Sequence, residues 1–231
     1  MNTVAVFFDL DGVLVDTQAA ELQALEQLVR QQGGGALLES VADAVNGIRM
    51  QDAINLVCDA AQIVPPADAL AQVRRLTERL LAGRTIRIEG IAEALSRIGH
   101  PKYVVSNSPL ELIERRLAQA RIERHFPGPH FSAYELNSWK PAPDLYRAAL
   151  STVAVPARNV IAIEDSKAGV ESARLAGLRV YWYQPRKSGE THLAASVTTF
   201  VRIAELPEML DHDLLHRPLM HETLFRGAPT W

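Results

Sequence analysis

Two pairs of carboxylates in this chain stand directly after apolar runs, at a spacing that could bind a metal ion. Asp9 and Asp11 follow the run V-A-V-F-F, and Glu164 and Asp165 follow the run V-I-A-I. Such unbroken apolar runs are typical of strands that are buried on both faces. Carboxylates at the end of a buried strand are costly to desolvate unless a cation or a substrate compensates them. Oxygen ligands of this kind suit Mg²⁺ together with substrate phosphate.

Three polar residues elsewhere in the chain could hold phosphate. Ser106 and Asn107 follow the short apolar run Y-V-V, and Lys140 stands beside two prolines at the start of a predicted helix. A hydroxyl at a strand end, together with the backbone N–H groups of the following turn, can bind phosphate oxygens. Each signal alone also has a structural explanation: a helix cap at Ser106 and Asn107, and a surface position for Lys140.

The order of these residues along the chain resembles the haloacid dehalogenase superfamily of phosphotransferases. The motifs read D-x-D-G from Asp9, S-N from Ser106, K-P from Lys140 and E-D-S-x-x-G from Glu164. The resemblance implies that Asp9 is the nucleophile and a Mg²⁺ ligand. It implies that Asp11 is the general acid and base and binds the metal through its backbone carbonyl. The remaining implied roles are phosphate binding by Ser106, Asn107 and Lys140, and completion of the metal site by Glu164 and Asp165.

The residue types suit the implied chemistry. An aspartate has an unperturbed pKa of about 3.9, so Asp9 is ionised at neutral pH and needs no base to activate it. The obstacle is its approach to an anionic phosphate, which Mg²⁺ and Lys140 would ease by neutralising charge. Asp11 must instead carry a proton for the leaving oxygen, and the neighbouring charge of Asp9 favours the protonated form.

The elements that must position these residues alternate between strand and helix. Strand patterns lie near residues 4–8, 103–105, 160–163 and 179–183, and helical patterns lie near 91–98, 109–119, 143–153 and 167–176. This alternation predicts an α/β fold with a Rossmann-like, doubly wound parallel sheet. Because ligands bind at the carboxyl ends of parallel strands, we expect the four motifs to meet at one edge of the sheet.

An all-helical insert interrupts this alternation directly after the first motif. Four apolar stripes at helical spacing lie near residues 22–29, 38–45, 53–61 and 70–81 and are separated by glycines or prolines. They predict a small antiparallel bundle of four helices. The insert resembles the cap of the β-phosphoglucomutase-like branch of the superfamily, which implies that a cap, residues 17–87, closes over a core made of residues 1–16 and 88–231. In this branch the loop that holds Gly47 and Arg49 faces the active site, where both would contribute to substrate specificity.

Differences between this sequence and related enzymes of the superfamily reduce the number of reactions that we expect it to catalyse. Dehalogenases of the superfamily lack the second aspartate and need no Mg²⁺, and phosphonatases need a cap lysine, which residues 17–87 do not contain. Mutases of this branch carry a histidine where this chain has Glu21, and a lysine soon after the motif serine, which is missing after Ser106. A phosphatase is therefore favoured. A phosphosugar mutase and a non-catalytic sugar-phosphate-binding module stay open as alternatives.

The core also resembles phosphatases of phosphorylated sugar acids within this branch. The matching segments are V-V-S-N-S-P at 104–109, H-F-P at 125–127, F-S-x-Y-x-x-x-x-W-K-P at 131–141, V-T-T-F at 197–200 and E-L-P-E at 205–208. The expected substrate is a small phosphorylated sugar or sugar acid, with 6-phosphogluconate as the first to try. Arg49 could bind its carboxylate through two parallel hydrogen bonds.

Composition excludes several other classes of function. A net charge of −3 over 231 residues gives no electrostatic reason to expect nucleic acid or a membrane as a partner. The single cysteine, Cys58, excludes a disulfide within the chain. Because the first predicted strand begins within a few residues of Met1, we expect no signal peptide. We therefore expect a cytoplasmic enzyme that binds a small phosphorylated metabolite and exists as a monomer or a weak homodimer.

Overall fold

A computed structural model describes residues 4–36, 41, 44–185 and 195–215 of the chain. Its strands are β1 (Ala5–Phe8), β2 (Lys102–Ser106), β3 (Phe131–Ser132), β4 (Val160–Glu164), β5 (Arg179–Tyr183) and β6 (Val197–Phe200). They form one parallel sheet in the order β3-β2-β1-β4-β5-β6. The order reverses direction next to β1, as in doubly wound sheets, so the predicted α/β fold is confirmed.

Strand β1 lies at the centre of the sheet and is buried on both faces. Its four residues are fully buried and alternate between two apolar clusters, one on each face. Because side chains alternate along a strand, a strand covered on both faces needs the unbroken apolar run that the sequence has here. Phe8 lies in register with Val104 of β2 and with Ile163 of β4. The motifs that follow these three strands therefore begin at the same edge.

Helices cover the sheet and also form a group beside it. They are α1 (Gln18–Gln31), α2 (Met50–Ala60), α3 (Ala69–Leu81), α4 (Ile91–Arg97), α5 (Leu110–Ala120), α6 (Ala133–Leu136), α7 (Asp144–Val153), α8 (Lys167–Leu175) and α9 (Leu206–Leu215). Within the described part of the chain, no helix is both long and apolar enough to cross a membrane.

Helices α1, α2 and α3 enclose an apolar cluster of their own, which includes Leu28, Ile54 and Val73. Three of the four helices predicted in the insert are therefore present at their expected places. Of the second predicted helix, residues 41, 44 and 45 are helical, and residues 37–40, 42 and 43 lie outside the described residues.

The helical insert is joined to the sheet by two segments that run side by side. The Asp16 amide donates to the Ile86 carbonyl at 2.6 Å, and the Ile88 amide donates to the Leu14 carbonyl at 3.2 Å. The chain therefore leaves the sheet region and returns to it at nearly the same place.

Strands β3 and β6 were not predicted from the sequence. Strand β3 has only two residues, and the middle of β6 consists of two exposed threonines, Thr198 and Thr199. Both strands lie at the edges of the sheet. Because edge strands are partly exposed, their sequences do not show the unbroken apolar pattern that marked β1 and β4.

Candidate active site

The motif residues converge at the carboxyl edge of the sheet. Carboxylate oxygens of Asp9, Glu164 and Asp165 lie within 4.8 Å of one another. Lys140 Nζ donates to Asp9 Oδ1 at 2.9 Å, to Glu164 Oε1 at 2.6 Å and to the Val105 carbonyl at 2.8 Å. Residues from the ends of β1 and β4 and from the loop before α7 are thus in direct contact.

The Lys140 side chain is a buried cation between two buried carboxylates. Burial alone would lower the pKa of Lys140, but Asp9 and Glu164 outweigh it and raise that pKa to about 12. The ammonium therefore stays charged. Tyr146, on α7, donates its hydroxyl to Glu164 Oε1 and so helps to hold this carboxylate in place. A buried ion pair contributes geometry and charge to a site more than it contributes stability.

The acidic cluster fits a divalent cation. Glu164 Oε2 and Asp165 Oδ1 are buried and have no hydrogen-bond partner among the described residues, which is unfavourable unless another group compensates them. Gly169 leaves room for Glu164, because a Cβ at this position would collide with Glu164 Oε2. A donor set made of carboxylate oxygens suits Mg²⁺. Asp9, Glu164 and Asp165 are the residues whose side chains would hold it.

Amide side chains from the insert hold Asp165. Gln18 Nε2 donates to Asp165 Oδ2 and also to Asn46 Oδ1, the latter at 2.9 Å. Trp182 Nε1 donates to the Asp165 backbone carbonyl at 2.9 Å. Burial and the like charge of Asp9 raise the pKa of Asp165 to about 7. Gln18 and Asn46 were not predicted as site residues, because their only signals in the sequence are their places just after the first motif and just before Gly47.

The Asp11 side chain takes a separate position. It accepts hydrogen bonds from Thr17 Oγ1 at 2.6 Å and from Ser108 Oγ at 3.0 Å. Among the described residues, Asp11 does not belong to the cluster of carboxylates that Asp9, Glu164 and Asp165 form. Gly12, which follows, has a φ of 82°, and a Cβ there would collide with Asp165. Glycine is therefore required for the turn that separates Asp11 from the cluster. A metal contact through the backbone carbonyl of Asp11, and its proton transfer, stay predictions.

Ser106 and Asn107 make different contacts at the end of β2. Ser106 Oγ is buried and accepts from the Ser108 amide at 3.1 Å. Asn107 Nδ2 donates to the Gly47 carbonyl at 2.9 Å, and Asn107 Oδ1 accepts from the Lys140 amide at 2.9 Å. Asn107 therefore joins the insert to the backbone of Lys140. Phosphate binding by Ser106 and Asn107 stays a prediction.

Gly47 and Arg49 lie where the insert meets the core, but Arg49 makes a contact that was not expected. A Cβ at Gly47 would collide with Ser166 Oγ, so glycine permits this close approach. The Arg49 guanidinium lies 4.0 Å from the centre of the Trp139 ring. Arg49 is not among the residues that line the main cavity. The guanidinium of Arg49 thus stacks on an aromatic ring, and its binding of a substrate carboxylate stays a prediction.

A cavity of about 1200 Å³ lies between the insert and the sheet. Its wall contains the motif residues and also charged residues from α1, α3 and α5, namely Glu21, Arg74, Glu78, Arg115 and Arg116. Arg74 Nη2 donates to the Tyr134 hydroxyl at 2.9 Å and so joins α3 to α6. The basic residues of this wall were not predicted as part of the site, because charged residues on amphipathic helices ordinarily face solvent.

The sheet order and the grouping of the four motifs define a hydrolase of the haloacid dehalogenase type. The chain matches the family model described as haloacid dehalogenase-like hydrolase over residues 6–183 and belongs to that family. The resemblance inferred from the motifs is therefore confirmed.

Two relatives with assigned activities are similar over nearly their whole length. The chain is 30% identical over 206 residues to 6-phosphogluconate phosphatase of Escherichia coli (strain K12), with 89% of this chain and 93% of the relative covered. It is 26% identical over 212 residues to the phosphorylated carbohydrates phosphatase of Thermotoga maritima, with 89% and 97% covered. A solved haloacid dehalogenase-like protein of unknown function from Agrobacterium tumefaciens has a TM-score of 0.75 at 25% identity, over 92% of this chain and 100% of that one.

Proposed function

We propose that this protein is a Mg²⁺-dependent phosphatase of a small phosphorylated sugar or sugar acid. The observation that carries the proposal is the contact between the Lys140 ammonium and Asp9 Oδ1 at 2.9 Å, beside an acidic cluster that could hold a metal. Phosphoryl transfer depends mainly on positioning and on neutralisation of charge, and this arrangement supplies both. The names of the two phosphatase relatives support the same class of substrate.

The proposed reaction has two halves that share the same residues. Asp9 attacks the phosphorus atom, the bond from phosphorus to the leaving oxygen breaks, and Asp11 gives that oxygen a proton. Water then attacks the phosphoryl group on Asp9, Asp11 takes a proton from this water, and inorganic phosphate leaves. Ser106 and Lys140 would hold the phosphoryl oxygens in both halves. When bound, Mg²⁺ neutralises part of the charge of the phosphate and of the carboxylates.

In this proposal residues 17–87 form a cap over a core made of residues 1–16 and 88–231. Three observations support this division: the insert has its own apolar cluster, its two connections run side by side, and its loop touches the site through Gly47. Closure of such a cap would exclude bulk water from the first half of the reaction.

6-Phosphogluconate is the specific substrate that we propose. The Escherichia coli relative carries this name at 30% identity, and the Thermotoga maritima relative is named for phosphorylated carbohydrates. The cavity of about 1200 Å³ is large enough to enclose a six-carbon sugar acid with its phosphate.

The test is phosphate release from a panel of sugar phosphates and phosphorylated sugar acids, with Mg²⁺ and with EDTA. We expect hydrolysis that EDTA abolishes and Mg²⁺ restores, with 6-phosphogluconate among the best substrates. No phosphate release from any member of the panel would contradict the proposal. Conversion of β-glucose 1-phosphate to glucose 6-phosphate in the presence of the 1,6-bisphosphate, faster than phosphate release, would instead indicate a mutase.

A further inference from the structure

Arg116 is a charged side chain buried in the wall of the active-site cavity. It lies on α5, the helix that follows the Ser106 motif, and its side chain is only 2% exposed. An arginine keeps its charge in proteins, so it cannot relieve the cost of burial by releasing a proton. A buried guanidinium therefore needs partners that satisfy both its charge and its N–H groups.

The residues around Arg116 leave part of its charge and some of its N–H groups without a partner. Its Nη2 lies 3.4 Å from Glu78 Oε1 and 4.0 Å from Glu21 Oε1. Its Nε and Nη1 are buried and have no hydrogen-bond partner among the described residues. The same Glu78 oxygen also lies 3.2 Å from Arg115 Nη2. Two guanidinium groups thus share one close carboxylate, so the positive charge of this pair of arginines exceeds the negative charge of Glu78.

Glu21 does little to remove this excess. Burial and the like charge of Asp11 raise the pKa of Glu21 to about 8, although Arg116 opposes the shift. A raised pKa favours the uncharged form of Glu21. This carboxyl, whose Oε1 lies 4.0 Å from Arg116 Nη2, therefore offsets less of the positive charge than an ordinary glutamate would.

We propose that Arg116 is the specificity residue that binds an anionic group at the end of the substrate distant from the phosphate. The inference rests on the proposed phosphatase function and adds a second anchor point for the substrate. A carboxylate on a sugar acid phosphate neutralises the charge of Arg116, which lines the cavity, by accepting a hydrogen bond from its guanidinium. The sequence alone suggested this role for Arg49.

A purely structural Arg116 would behave differently. Its contact with Glu78 joins α5 of the core to α3 of the insert, so it could simply hold the two together. Loss of such a link would lower the turnover of every phosphate ester by a similar factor. Two substrates that differ only at the end distant from the phosphate therefore separate the two roles.

The test compares kcat/KM for 6-phosphogluconate and for sorbitol 6-phosphate, which share an open six-carbon chain and differ by a carboxylate against a hydroxymethyl group. We expect wild type to prefer the carboxylate. In Arg116→Met this preference should fall about 10- to 100-fold, the range for a charge-assisted hydrogen bond. Arg116→Lys keeps the charge and should keep an intermediate preference. If Arg116→Met fails to fold, the two substrates are compared in Arg116→Lys instead.

Arg75→Met is the control, because it removes a guanidinium from α3, the helix that carries Glu78. Arg75 is 63% exposed, pairs with Asp68 and is not among the residues that line the cavity, so this variant should keep the wild-type preference within about threefold. Equal losses on both substrates in Arg116→Met, or a wild type without preference for the carboxylate, would overturn the inference.

A binding measurement separates this inference from the proposed function. Isothermal titration with gluconate, which has the carboxylate but no phosphate, is compared with titration with sorbitol. We expect gluconate to bind wild type more tightly than sorbitol does, and Arg116→Met to lose the difference. If wild type hydrolyses no phosphate ester, the proposed function fails, but this binding difference would still support the anion site. Equal binding of gluconate and sorbitol by wild type would overturn it.

Discussion

The Lys140 ammonium lies 2.9 Å from the Asp9 carboxylate, although 131 residues separate them in the chain. Both side chains are buried, so water and salt screen this pair much less than an exposed one. The positive charge of Lys140 offsets the electrostatic repulsion between Asp9 and an incoming phosphate. The contact therefore joins the proposed nucleophile directly to the group that would receive the phosphoryl oxygens.

Asp11→Asn should slow hydrolysis to a degree that depends on the leaving group. An amide cannot donate a proton as a carboxylic acid does, so we expect a loss of at least about 100-fold on a sugar phosphate. An aryl phosphate should lose much less, because its leaving oxygen departs without a proton. The measurement is kcat/KM for both substrates in wild type and variant. An equal loss on both would contradict the role of Asp11 as the general acid.

Mg²⁺ should stabilise the protein more at pH 8 than at pH 6. The pKa of Asp165 is raised to about 7 by burial and by the like charge of Asp9, so at pH 6 a proton must leave this carboxyl before a metal binds. We expect the increase in Tm caused by saturating Mg²⁺, relative to EDTA, to be several degrees larger at pH 8. Asp165→Asn should lose most of this increase. A larger increase at pH 6 would contradict the proposed ligand set.

Glu21→Gln should stabilise the metal-free protein increasingly as the pH rises. The pKa of Glu21 is about 8 in the folded protein, above its usual value, so the folded state holds this proton more tightly than the unfolded state does. The stability that this proton contributes is therefore fully present below the pKa of Glu21 in the unfolded protein. It is lost as the pH rises through the pKa of Glu21 in the folded protein. Glutamine stays neutral and avoids the loss.

The Glu21→Gln prediction is checked by Tm measurements in EDTA at pH 5 and at pH 9. The difference in Tm between variant and wild type should rise by a few degrees across this interval. Glu26→Gln, on the same helix, is the control. A difference that is constant or falls with pH would show that Glu21 is ionised in the folded protein.

Arg49→Ala should lower activity on 6-phosphogluconate and on sorbitol 6-phosphate by similar factors. The guanidinium stacks on Trp139, so its removal weakens a contact between insert and core that every substrate needs. A cation–aromatic contact of about 1 kcal/mol corresponds to a loss of about fivefold. The same loss in Trp139→Leu, without a further loss in the double variant, would show that the two side chains act as a pair. A loss confined to 6-phosphogluconate would return the carboxylate-binding role to Arg49.

The central strands and the motif residues could be predicted because their physical causes are local. A strand covered on both faces needs an unbroken apolar run, and parallel strands bring the residues that follow them to one edge. Asp9 and Glu164 could therefore be placed close together from sequence alone. The partly exposed edge strand β6 lacked that pattern and was missed.

Which charged helical residues belong to the cavity could not be predicted, because packing between elements decides it. Arg115 and Arg116 are adjacent and chemically identical, and they point about 100° apart around α5. Their side chains are 58% and 2% exposed, although both approach Glu78 of the insert. Gln18 was missed for the same reason, since its contact with Asp165 spans the two parts of the molecule.

Phosphate release by Asp9→Asn in the presence of Mg²⁺ is the most direct test of the proposed reaction. The substitution keeps the size of the side chain but removes the nucleophile, so we expect activity on 6-phosphogluconate to fall by at least about a thousandfold. The circular dichroism spectrum should match that of wild type. Asp59→Asn, an exposed position on α2, should retain full activity. Activity of Asp9→Asn within about tenfold of wild type would contradict the account.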